Sequence, residues 1–444
     1  MKLTLTSLVR ARVARILVAF VALALTVAAV PSGRPEDVGL STERLQRINQ
    51  VVQRYIDAKE IAGAVTVVSR RGRVAHFEAQ GLMDIERNAP MRKDGIFRMA
   101  SMTKPVIGVA IMIMLEEGRI RLSDPVSKFI PEFKNAKVAI EMPSTGGRGA
   151  AALSDGPPVP EAEIYTVPAT RDITVRDLLT HTSGLVSGGA GTREANRIAP
   201  RDTSSNLAAY MPKLAHAPLD FQPGTQWRYS GLAGIDTLGR IVEVASSQTL
   251  DVFLKQRIFD PLGMKDTAFF PTDDRLPRVA SLYSRTPGGL KKTDAPSWLG
   301  GKTYFSGGAG LWSTGEDYLQ FAQMLVNGGE LNGKRLLSPR TIALMASNHV
   351  GDLYSQAGAS NTSYTMMGMA RRGMGFGLTV EVVMNPIDAN RRQSAGSFGW
   401  DGAFGTHFWV DPKEQMAGIL LIQQGLNASL NRDFENAVMQ AIID

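Results

Sequence analysis

The sequence predicts an α/β protein in which a mainly helical segment interrupts a sheet-forming part. Short apolar or alternating stretches, which are typical of β-strands, occur towards both ends of the chain, and helical periodicity dominates between them. Because strands are followed by helices and then by strands again, a helical insertion in one sheet domain explains the order better than two domains in series. A cleft between two such parts is a natural place for a ligand.

Length and composition are those of an ordinary globular protein. The 444 residues leave room for two domains, or for one large domain with an insertion. The net charge of +7 falls to +3 when the four basic residues among the first 29 are set aside, which leaves 45 basic against 42 acidic side chains. So weak and dispersed a charge gives no reason to expect a nucleic-acid partner.

The first 29 residues predict a secretory signal peptide. Four basic residues are followed by the apolar run of residues 16–30, and small residues close it. Val27 and Ala29 fit positions −3 and −1 of a cleavage site, so we expect cleavage near Ala29 and a periplasmic or secreted protein without stable membrane association. The alternative is an uncleaved anchor, although 15 apolar residues are short for a membrane span.

Two residue types limit the possible chemistry. The chain has no cysteine, which excludes disulfides, thiol nucleophiles and thiolate metal sites. Its five histidines are scattered, and no two of them are four residues apart, so a zinc site is not expected. An exported chain without disulfides must depend on its own hydrophobic core, which a chain of this length can build.

The first half of the chain has clear local signals. Ser41 can cap a helix, and residues 62–70 and 74–81 flank a turn at Arg71-Gly72, which predicts a β-hairpin. Residues 143–160 are rich in Gly, Pro and Ala and predict a surface loop. Helical patterns dominate from that loop to about residue 265.

The last part of the chain predicts successive strands and a closing helix. The strands are expected at residues 376–384, 397–402, 405–411 and 416–423, and the helix at residues 433–443. We therefore expect three units: a signal peptide at 1–29, an α/β domain formed by 36–98 and 266–444, and a mainly helical domain at 99–265.

Residues 98–108, RMASMTKPVIG, contain a serine and a lysine three positions apart at the start of a predicted helix. Pro105 is tolerated in a first helical turn, and apolar residues follow at helical spacing as far as Gly118. Ser101 and Lys104 should then lie on one face. The helix dipole favours a neutral amine there, which can accept a proton from serine. The alternative is a solvated surface lysine, since a chain of this length should contain about one S-x-x-K by chance.

The sequence supports neither the serine motif of the α/β-hydrolases nor a nucleotide-binding phosphate loop. No G-x-S-x-G sequence occurs, so the nucleophile elbow of the α/β-hydrolases is excluded. The segment Gly300–Thr303 resembles the end of a phosphate loop, but Pro296 stands where that loop requires glycine.

A serine–lysine nucleophile needs a second group that handles protons. A tyrosine beside a lysine can serve, because the cation stabilises the phenolate. Tyr229, Tyr283 and Tyr354 are each followed by serine, and only Tyr229 lies between a Pro-Gly turn and a helical pattern. The alternative is that Tyr229 is simply a packing residue.

Several motifs resemble the serine β-lactamase-like superfamily, and most closely the family VIII carboxylesterases related to class C β-lactamases and D,D-peptidases. They occur in the right order between about residue 36 and the C-terminus: SMTK, DLLTHTSGL, PGTQWRYS, GGAGLWST and WDGAFGTHFWVDP. The resemblance implies a β-lactamase/transpeptidase-like α/β fold, with an antiparallel sheet flanked by helices and an inserted helical domain. It implies neither a metal nor an organic cofactor.

The resemblance also implies roles for individual residues. Ser101 would be the acylated nucleophile, and Lys104 would hold or accept its proton. Tyr229 would act as general base and then protonate the leaving group. The main-chain amides of Ser101 and Ala403 would form the oxyanion hole.

Substrate binding is implied at the triplet Trp400, Asp401 and Gly402. It falls where penicillin-recognising relatives carry K-[ST]-G on an edge strand. Two histidines of these motifs, His181 in DLLTHTSGL and His407 on the strand after the triplet, are expected to be structural rather than catalytic.

Departures from the family pattern indicate the substrate. The chain contains neither Y-x-N nor K-[ST]-G, whose side chains grip the amide and the carboxylate of β-lactams. Losing a cation that pairs with a carboxylate weakens binding of that anion, whereas Trp400 offers an apolar wall suited to neutral esters. We therefore expect hydrolysis of short-chain carboxylic esters through an acyl-enzyme. The alternatives are a β-lactamase or D-amino-acid peptidase of the class C type, or a non-catalytic homologue that binds cell-wall fragments.

Overall fold

The computed structural model describes residues 29–142, 162–294, 302–357 and 372–444. The expected signal peptide, apart from Ala29, and the expected loop at 143–160 lie outside the described residues. Within the described ranges, no helix is both long and apolar enough to span a membrane.

Sixteen short or medium-length strands occur in the described part of the chain. In chain order they are β1 (Gly63–Arg70), β2 (Arg73–Asp84), β3 (Ala89–Pro90), β4 (Phe97–Arg98), β5 (Lys137–Glu141), β6 (Ile164–Pro168), β7 (Tyr283–Thr286), β8 (Gly289–Lys292), β9 (Trp312–Ser313), β10 (Glu330–Leu331), β11 (Lys334–Arg335), β12 (Met374–Phe376), β13 (Glu381–Val383), β14 (Phe398–Asp401), β15 (His407–Asp411) and β16 (Met416–Leu421).

The described α-helices are, in chain order, α1 (Thr42–Asp57), α2 (Thr103–Glu116), α3 (Val175–Leu179), α4 (Ala190–Ile198), α5 (Leu207–Leu214), α6 (Ala233–Ser246), α7 (Leu250–Leu254), α8 (Asp260–Leu262), α9 (Gly315–Val326), α10 (Pro339–Met345) and α11 (Ala428–Met439). A π-helical turn, Lys255–Phe259, joins α7 to α8. Short 3-10 helices occupy Pro35–Val38, Ala100–Met102, Val126–Lys128, Pro131–Phe133, Asp273–Arg278 and Gly351–Leu353.

One antiparallel sheet of eight strands organises the fold, in the order β12-β13-β14-β15-β16-β1-β2-β3. The first long strand, β1, pairs with the last strand, β16, so both ends of the chain build the same sheet. The predicted hairpin of β1 and β2 is confirmed. Arg71 and Gly72 have φ values of 50° and 73°, as a tight type I′ turn requires. The predicted fold class is therefore confirmed.

Helices cover both faces of the sheet. On one face α1 and α11 pack together over Val68, Trp409 and Leu420. On the other face α9 packs against β1, β15 and β16, where Val67 and Ile419 belong to the main core. Neighbours such as Val67 and Val68 belong to opposite faces because successive side chains along a strand point to opposite sides of the sheet. The predicted cap of α1 is also confirmed, because Ser41 Oγ accepts from the Arg44 N–H.

Two local expectations need correction. The expected strand at 376–384 is two strands, β12 and β13, because Thr379 has a φ of 69° and turns the chain between them. Ser101 does not lie in the first turn of the expected helix. It lies in the 3-10 turn Ala100–Met102, and α2 begins at Thr103.

Helix α2 passes through the core rather than over the surface. Every residue from Thr103 to Met114 is buried, including Lys104. A helix that is apolar on every side is typical of a protein interior. A polar side chain on it, here Lys104, can be buried there only if it has hydrogen-bond partners. The described elements between residues 99 and 265 are helices, 3-10 turns and one π-helical turn, with one antiparallel pair of strands, β5 and β6. The division into two domains stays a prediction.

Candidate active site

Ser101 is presented by a sharp turn between β4 and α2. Strand β4 pairs with β9, and the N–H of Met99 donates to the carbonyl of Leu311. Ala100 then has a φ of 45°, a left-handed conformation that costs a non-glycine residue roughly 1–2 kcal/mol. Since Ala100 is buried, this conformation is held by its surroundings, and it turns the chain so that Ser101 precedes the helix.

The structure brings the three expected catalytic side chains together. Lys104 Nζ lies 3.0 Å from Ser101 Oγ. The hydroxyl of Tyr229 donates to the same Ser101 oxygen over 2.7 Å, although 128 residues separate the two in sequence. Ser101 and Tyr229 are partly buried, whereas Lys104 is wholly buried.

Lys104 is held by two carbonyl groups as well as by Ser101. Its Nζ donates to Gly231 O and to Gly308 O, each over 2.7 Å. Burial lowers the pKa of Lys104 to about 7, against the opposing influence of the Asp236 carboxylate. The amine is therefore close to half protonated at neutral pH.

Asp236 holds the main chain that binds Lys104. This wholly buried carboxylate accepts from the N–H of Gly308 over 2.9 Å, and the carbonyl of Gly308 accepts from Lys104. It also accepts from Arg201, Tyr304 and Ser306 at 2.5, 3.0 and 2.8 Å. Arg201 thereby neutralises the charge of Asp236, and four hydrogen bonds fix the position of the carboxylate.

Tyr229 lies in an aromatic cluster. Its ring centre is 4.7 Å from that of His181 and 5.7 Å from that of Trp400, and Lys104 Nζ lies 4.9 Å from the Tyr229 ring centre. Burial raises the pKa of Tyr229, and hydrogen bonds with Ser101 and with the Trp400 side chain partly offset the rise. An indole can only donate, so a hydrogen bond between these two side chains runs from the Trp400 N–H to the phenol oxygen. The resting tyrosine is therefore neutral.

Trp400 and Asp401 are the last two residues of strand β14, and Gly402 follows it. The side chains of Trp400 and Asp401 point to opposite faces of the sheet. Trp400 faces Tyr229, whereas Asp401 accepts from His407 and from Asn431 on the opposite face. Any contact of Asp401 with substrate would then come from its main chain. Gly402 is packed so closely on Thr406 and on the Met99 carbonyl that a Cβ there would clash.

The turn after β14 is tied to the segment before Ser101. The N–H of Gly402 donates to Thr406 O over 2.7 Å, and Thr406 Oγ1 donates to the Met99 carbonyl over 3.0 Å. Ala403 lies inside this turn, so its amide belongs to a segment anchored two residues from Ser101. Its expected part in an oxyanion hole stays a prediction.

The two histidines that were expected to be structural are both buried. His181 Nδ1 accepts from the N–H of Ser230 over 3.3 Å, and burial followed by the charge of Lys104 lowers the pKa of His181. Its neutral ring packs on Tyr229 and so helps to place that residue. His407 contacts two carboxylates, Asp401 and Glu435. Among the described residues, no group of His, Asp and Glu side chains could hold a metal ion.

Sequence reasoning missed Asp236 and the carbonyls of Gly231 and Gly308. The signal for Asp236 was a lone acid among apolar residues at the start of a helical pattern, which is costly unless the acid is buried with partners. The carbonyls have no side-chain signal, although Gly231 follows Tyr229 by two residues and Gly308 lies in the motif GGAGLWST.

Comparison with known proteins finds a family model and several similar proteins. The model of the β-lactamase family matches residues 48–440. Protein Rv1367c of Mycobacterium tuberculosis H37Rv is 33% identical over 378 residues, which cover 84% of this chain and 88% of that protein. Esterase EstB of Burkholderia gladioli is 30% identical over 423 residues, covering 88% and 94%. The solved structure of EstCE1, a hydrolase with promiscuous acyltransferase activity, has a TM-score of 0.72 at 28% identity, covering 89% and 99%.

Proposed function

The chain belongs to the β-lactamase family, and we propose that it is a serine hydrolase that cleaves short-chain carboxylic esters through an acyl-enzyme. The observation that carries this proposal is the arrangement around Ser101 Oγ, with the Lys104 amine at 3.0 Å and the Tyr229 hydroxyl at 2.7 Å. A nucleophile beside a base and an acid is the arrangement that acyl transfer requires.

Lys104 is the base for the first step. A neutral amine has two hydrogens and one lone pair. Both hydrogens can go to the carbonyls of Gly231 and Gly308, which leaves the lone pair directed at Ser101 Oγ. Lys104 thus takes the serine proton as Oγ attacks the ester carbonyl. The amides of Ser101 and Ala403 stabilise the resulting oxyanion.

Tyr229 acts as the acid when the alcohol leaves. Its hydroxyl already points at Ser101 Oγ, and its raised pKa keeps the proton on the oxygen until a basic alkoxide forms. The phenolate that remains is stabilised by the Trp400 N–H and by protonated Lys104, which returns a proton to it. In deacylation, neutral Lys104 takes a proton from the attacking water and then returns it to Ser101 Oγ as the acyl group leaves.

The surroundings of Tyr229 favour neutral esters over β-lactams. Trp400 is 3% exposed and contributes an indole N–H, where a lysine would offer a cation to a substrate carboxylate. The similar protein EstB is described as an esterase, and this description favours an ester as the substrate here. The β-lactamase, peptidase and non-catalytic alternatives remain outcomes of the test below.

The test compares p-nitrophenyl butyrate with the chromogenic cephalosporin nitrocefin. Wild type should hydrolyse the ester much faster than nitrocefin, and Ser101→Ala should lose both activities. Lys104→Arg should lose ester turnover by about 10²–10⁴-fold, because a guanidinium cannot be deprotonated. Efficient nitrocefin cleavage by wild type would replace the esterase with the β-lactamase alternative. Activity that survives in Ser101→Ala would overturn the proposal.

Matched controls separate chemistry from folding. Ser347→Ala removes an exposed hydroxyl that bonds only to Ala343 O, and Lys128→Arg changes an exposed lysine paired with Asp124. Both should retain wild-type ester turnover. Thermal melting of all variants should show that the active-site variants remain folded. Inactivity of folded wild type on both substrates would favour the peptidase or binding-protein alternative.

An alcohol can compete with water for the same acyl-enzyme. EstCE1, the similar structure, is described as having acyltransferase activity, and the aromatic cluster around Tyr229 keeps the site apolar. Adding 1-butanol to the p-nitrophenyl butyrate assay should therefore yield butyl butyrate beside butyrate. Butyrate as the sole product at high butanol concentration would limit the chain to hydrolysis.

A further inference from the structure

A buried histidine lies between two carboxylates on the face of the sheet opposite to Ser101. His407 Nδ1 is 2.5 Å from Asp401 Oδ1, and His407 Nε2 is 3.2 Å from Glu435 Oε1. The His407 side chain is 7% exposed. A neutral imidazole has one N–H, so only the protonated ring can present an N–H to each of two carboxylates. His407 thus hydrogen-bonds to Asp401 on one side and lies at ion-pair distance from Glu435 on the other, and we call this arrangement the clamp.

Charged groups from each packed element surround this histidine. Arg391 Nη1 donates to Glu435 over 2.5 Å, and Arg432 lies 3.6 Å from the same carboxylate. The charged groups around His407 are Glu381 from β13, Arg391 from the segment after β13, Asp401 from β14, and Arg432 and Glu435 from α11.

These charges balance only when the histidine is protonated. Burial opposes protonation of His407, but Asp401 and Glu435 outweigh it and raise the pKa of His407 to about 9. Burial likewise opposes ionisation of Glu435, but Arg391 and His407 lower the pKa of Glu435 to about 2. A cavity of about 30 Å³ beside these groups has room for one water molecule, which gives the proton a route of exchange.

The clamp is connected to the active site through one strand. Trp400 and Asp401 are neighbours on β14 and face opposite sides, so holding Asp401 also fixes the direction of Trp400. Asp401 is directly opposite His407 in the pairing of β14 with β15. The next residues, Gly402 and Ala403, lead into the turn that is tied to Met99.

We infer that His407, as an imidazolium bound to Asp401 and Glu435, is a positioning residue that locks β14 in its active position. This inference rests on the proposed function. His407 acts through the strand, by setting the Trp400 indole beside Tyr229 and the Ala403 amide at the oxyanion. Loss of its proton removes the positive charge from between two buried carboxylates, which is costly. The strand then shifts, and turnover falls.

The first experiment measures kcat and KM for p-nitrophenyl butyrate between pH 6 and pH 10, corrected for spontaneous hydrolysis. Wild type should lose activity above an apparent pKa near 9. In His407→Gln, which has similar size and no charge, kcat at pH 8 should fall on the order of tenfold, with KM within about twofold, because misplacement mainly affects the transition state. The alkaline decline should be absent from this variant.

The matched control is His76→Gln. His76 is also a buried histidine on the same sheet, but it bonds only to Thr66 Oγ1, and burial lowers the pKa of His76 to about 4. This variant should keep the wild-type kcat and the alkaline decline. A folded His407→Gln with wild-type kcat at pH 8, or with the decline still present, would overturn the inference.

A second experiment uses wild type alone, so it does not depend on a folded variant. In the ¹⁵N-histidine spectrum of the full chain at pH 8, one imidazole should be doubly protonated, and it should titrate near pH 9. No protonated imidazole at pH 8 would overturn the inference. If Ser101→Ala is inactive and His407→Gln is normal, the proposed function stands and this inference fails. If Ser101→Ala remains active, the proposed function fails, and the spectrum still reports the charge of His407.

Discussion

The amine of Lys104 lies 3.0 Å from the hydroxyl oxygen of Ser101, and its two other hydrogen bonds go to main-chain carbonyls. Asp236 acts on this amine through Gly308 and through space rather than by an ion pair. Lys104 is therefore buried without a directly bonded counter-charge, and its pKa decides when it can act as a base.

The pH dependence of catalysis should have an acidic limb set by Lys104. The base must be neutral, and burial lowers the pKa of Lys104 to about 7, so activity should rise with pH through neutrality. We expect kcat/KM for p-nitrophenyl butyrate to be half-maximal near pH 7 and to fall about tenfold per pH unit below it. A profile that is flat between pH 5 and pH 8 would contradict this role.

Tyr229→Phe should retain the fold and lose turnover. The variant keeps the ring that packs on His181 and Trp400 but removes the proton that the leaving group needs. We expect kcat for ethyl butyrate, whose ethoxide leaving group needs that proton, to fall about 10²–10⁴-fold. Tyr55→Phe is the control, since the Tyr55 hydroxyl bonds to Asp433 away from the site. Equal rates for the two variants would show that Tyr229 only packs.

Trp400→Phe tests the indole N–H. The ring contact with Tyr229 is largely kept, while the N–H that the proposed mechanism directs at the phenolate is lost. Hydrogen bonds to charged groups contribute about 1.5–3 kcal/mol, so kcat should fall roughly 10–150-fold. The loss of activity should appear in kcat, which is measured at a saturating concentration of the ester. A variant with unchanged kcat would assign Trp400 to shape alone.

The charged cluster at His407 should make thermal stability depend on pH. The pKa of His407 is raised to about 9, so its contribution is complete below the unfolded value near 6.5 and is lost as pH rises through 9. The pKa of Glu435 is lowered to about 2, so its contribution is present above about 4.5 and is lost as pH falls towards 2.

Melting temperature should therefore be highest between about pH 5 and pH 6.5 and should fall by several degrees towards pH 9.5. His407→Gln should be less stable at pH 6, and its melting temperature should change less across the alkaline range than that of wild type. An identical alkaline decline in the variant would mean that other groups cause it.

Much of the site could be predicted because its signals are local or carried by motifs. Ser101 and Lys104 are three residues apart before an apolar helix, and Tyr229 lies in a motif whose order along the chain matches the family. The β1–β2 hairpin was equally predictable, since Arg71-Gly72 suits a tight turn between two apolar runs.

The parts that could not be predicted depend on tertiary packing. Asp236 meets Gly308 across 72 residues, and nothing near either residue in sequence indicates the partner. The position of His407 between Asp401 and Glu435 needs the register of β14 with β15 and the placement of α11 on the sheet. The positive φ of Thr379, which divides one expected strand into two, is also imposed by context because threonine does not favour it.

The measurement that tests the central claim most directly is the mass of the chain after rapid acid quenching during turnover of p-nitrophenyl butyrate. We predict a species heavier by one butyryl group, and peptide mapping should place that group on Ser101. Ser101→Ala should form no such species. A butyryl group on another residue, or equal labelling of Ser101→Ala, would contradict the account.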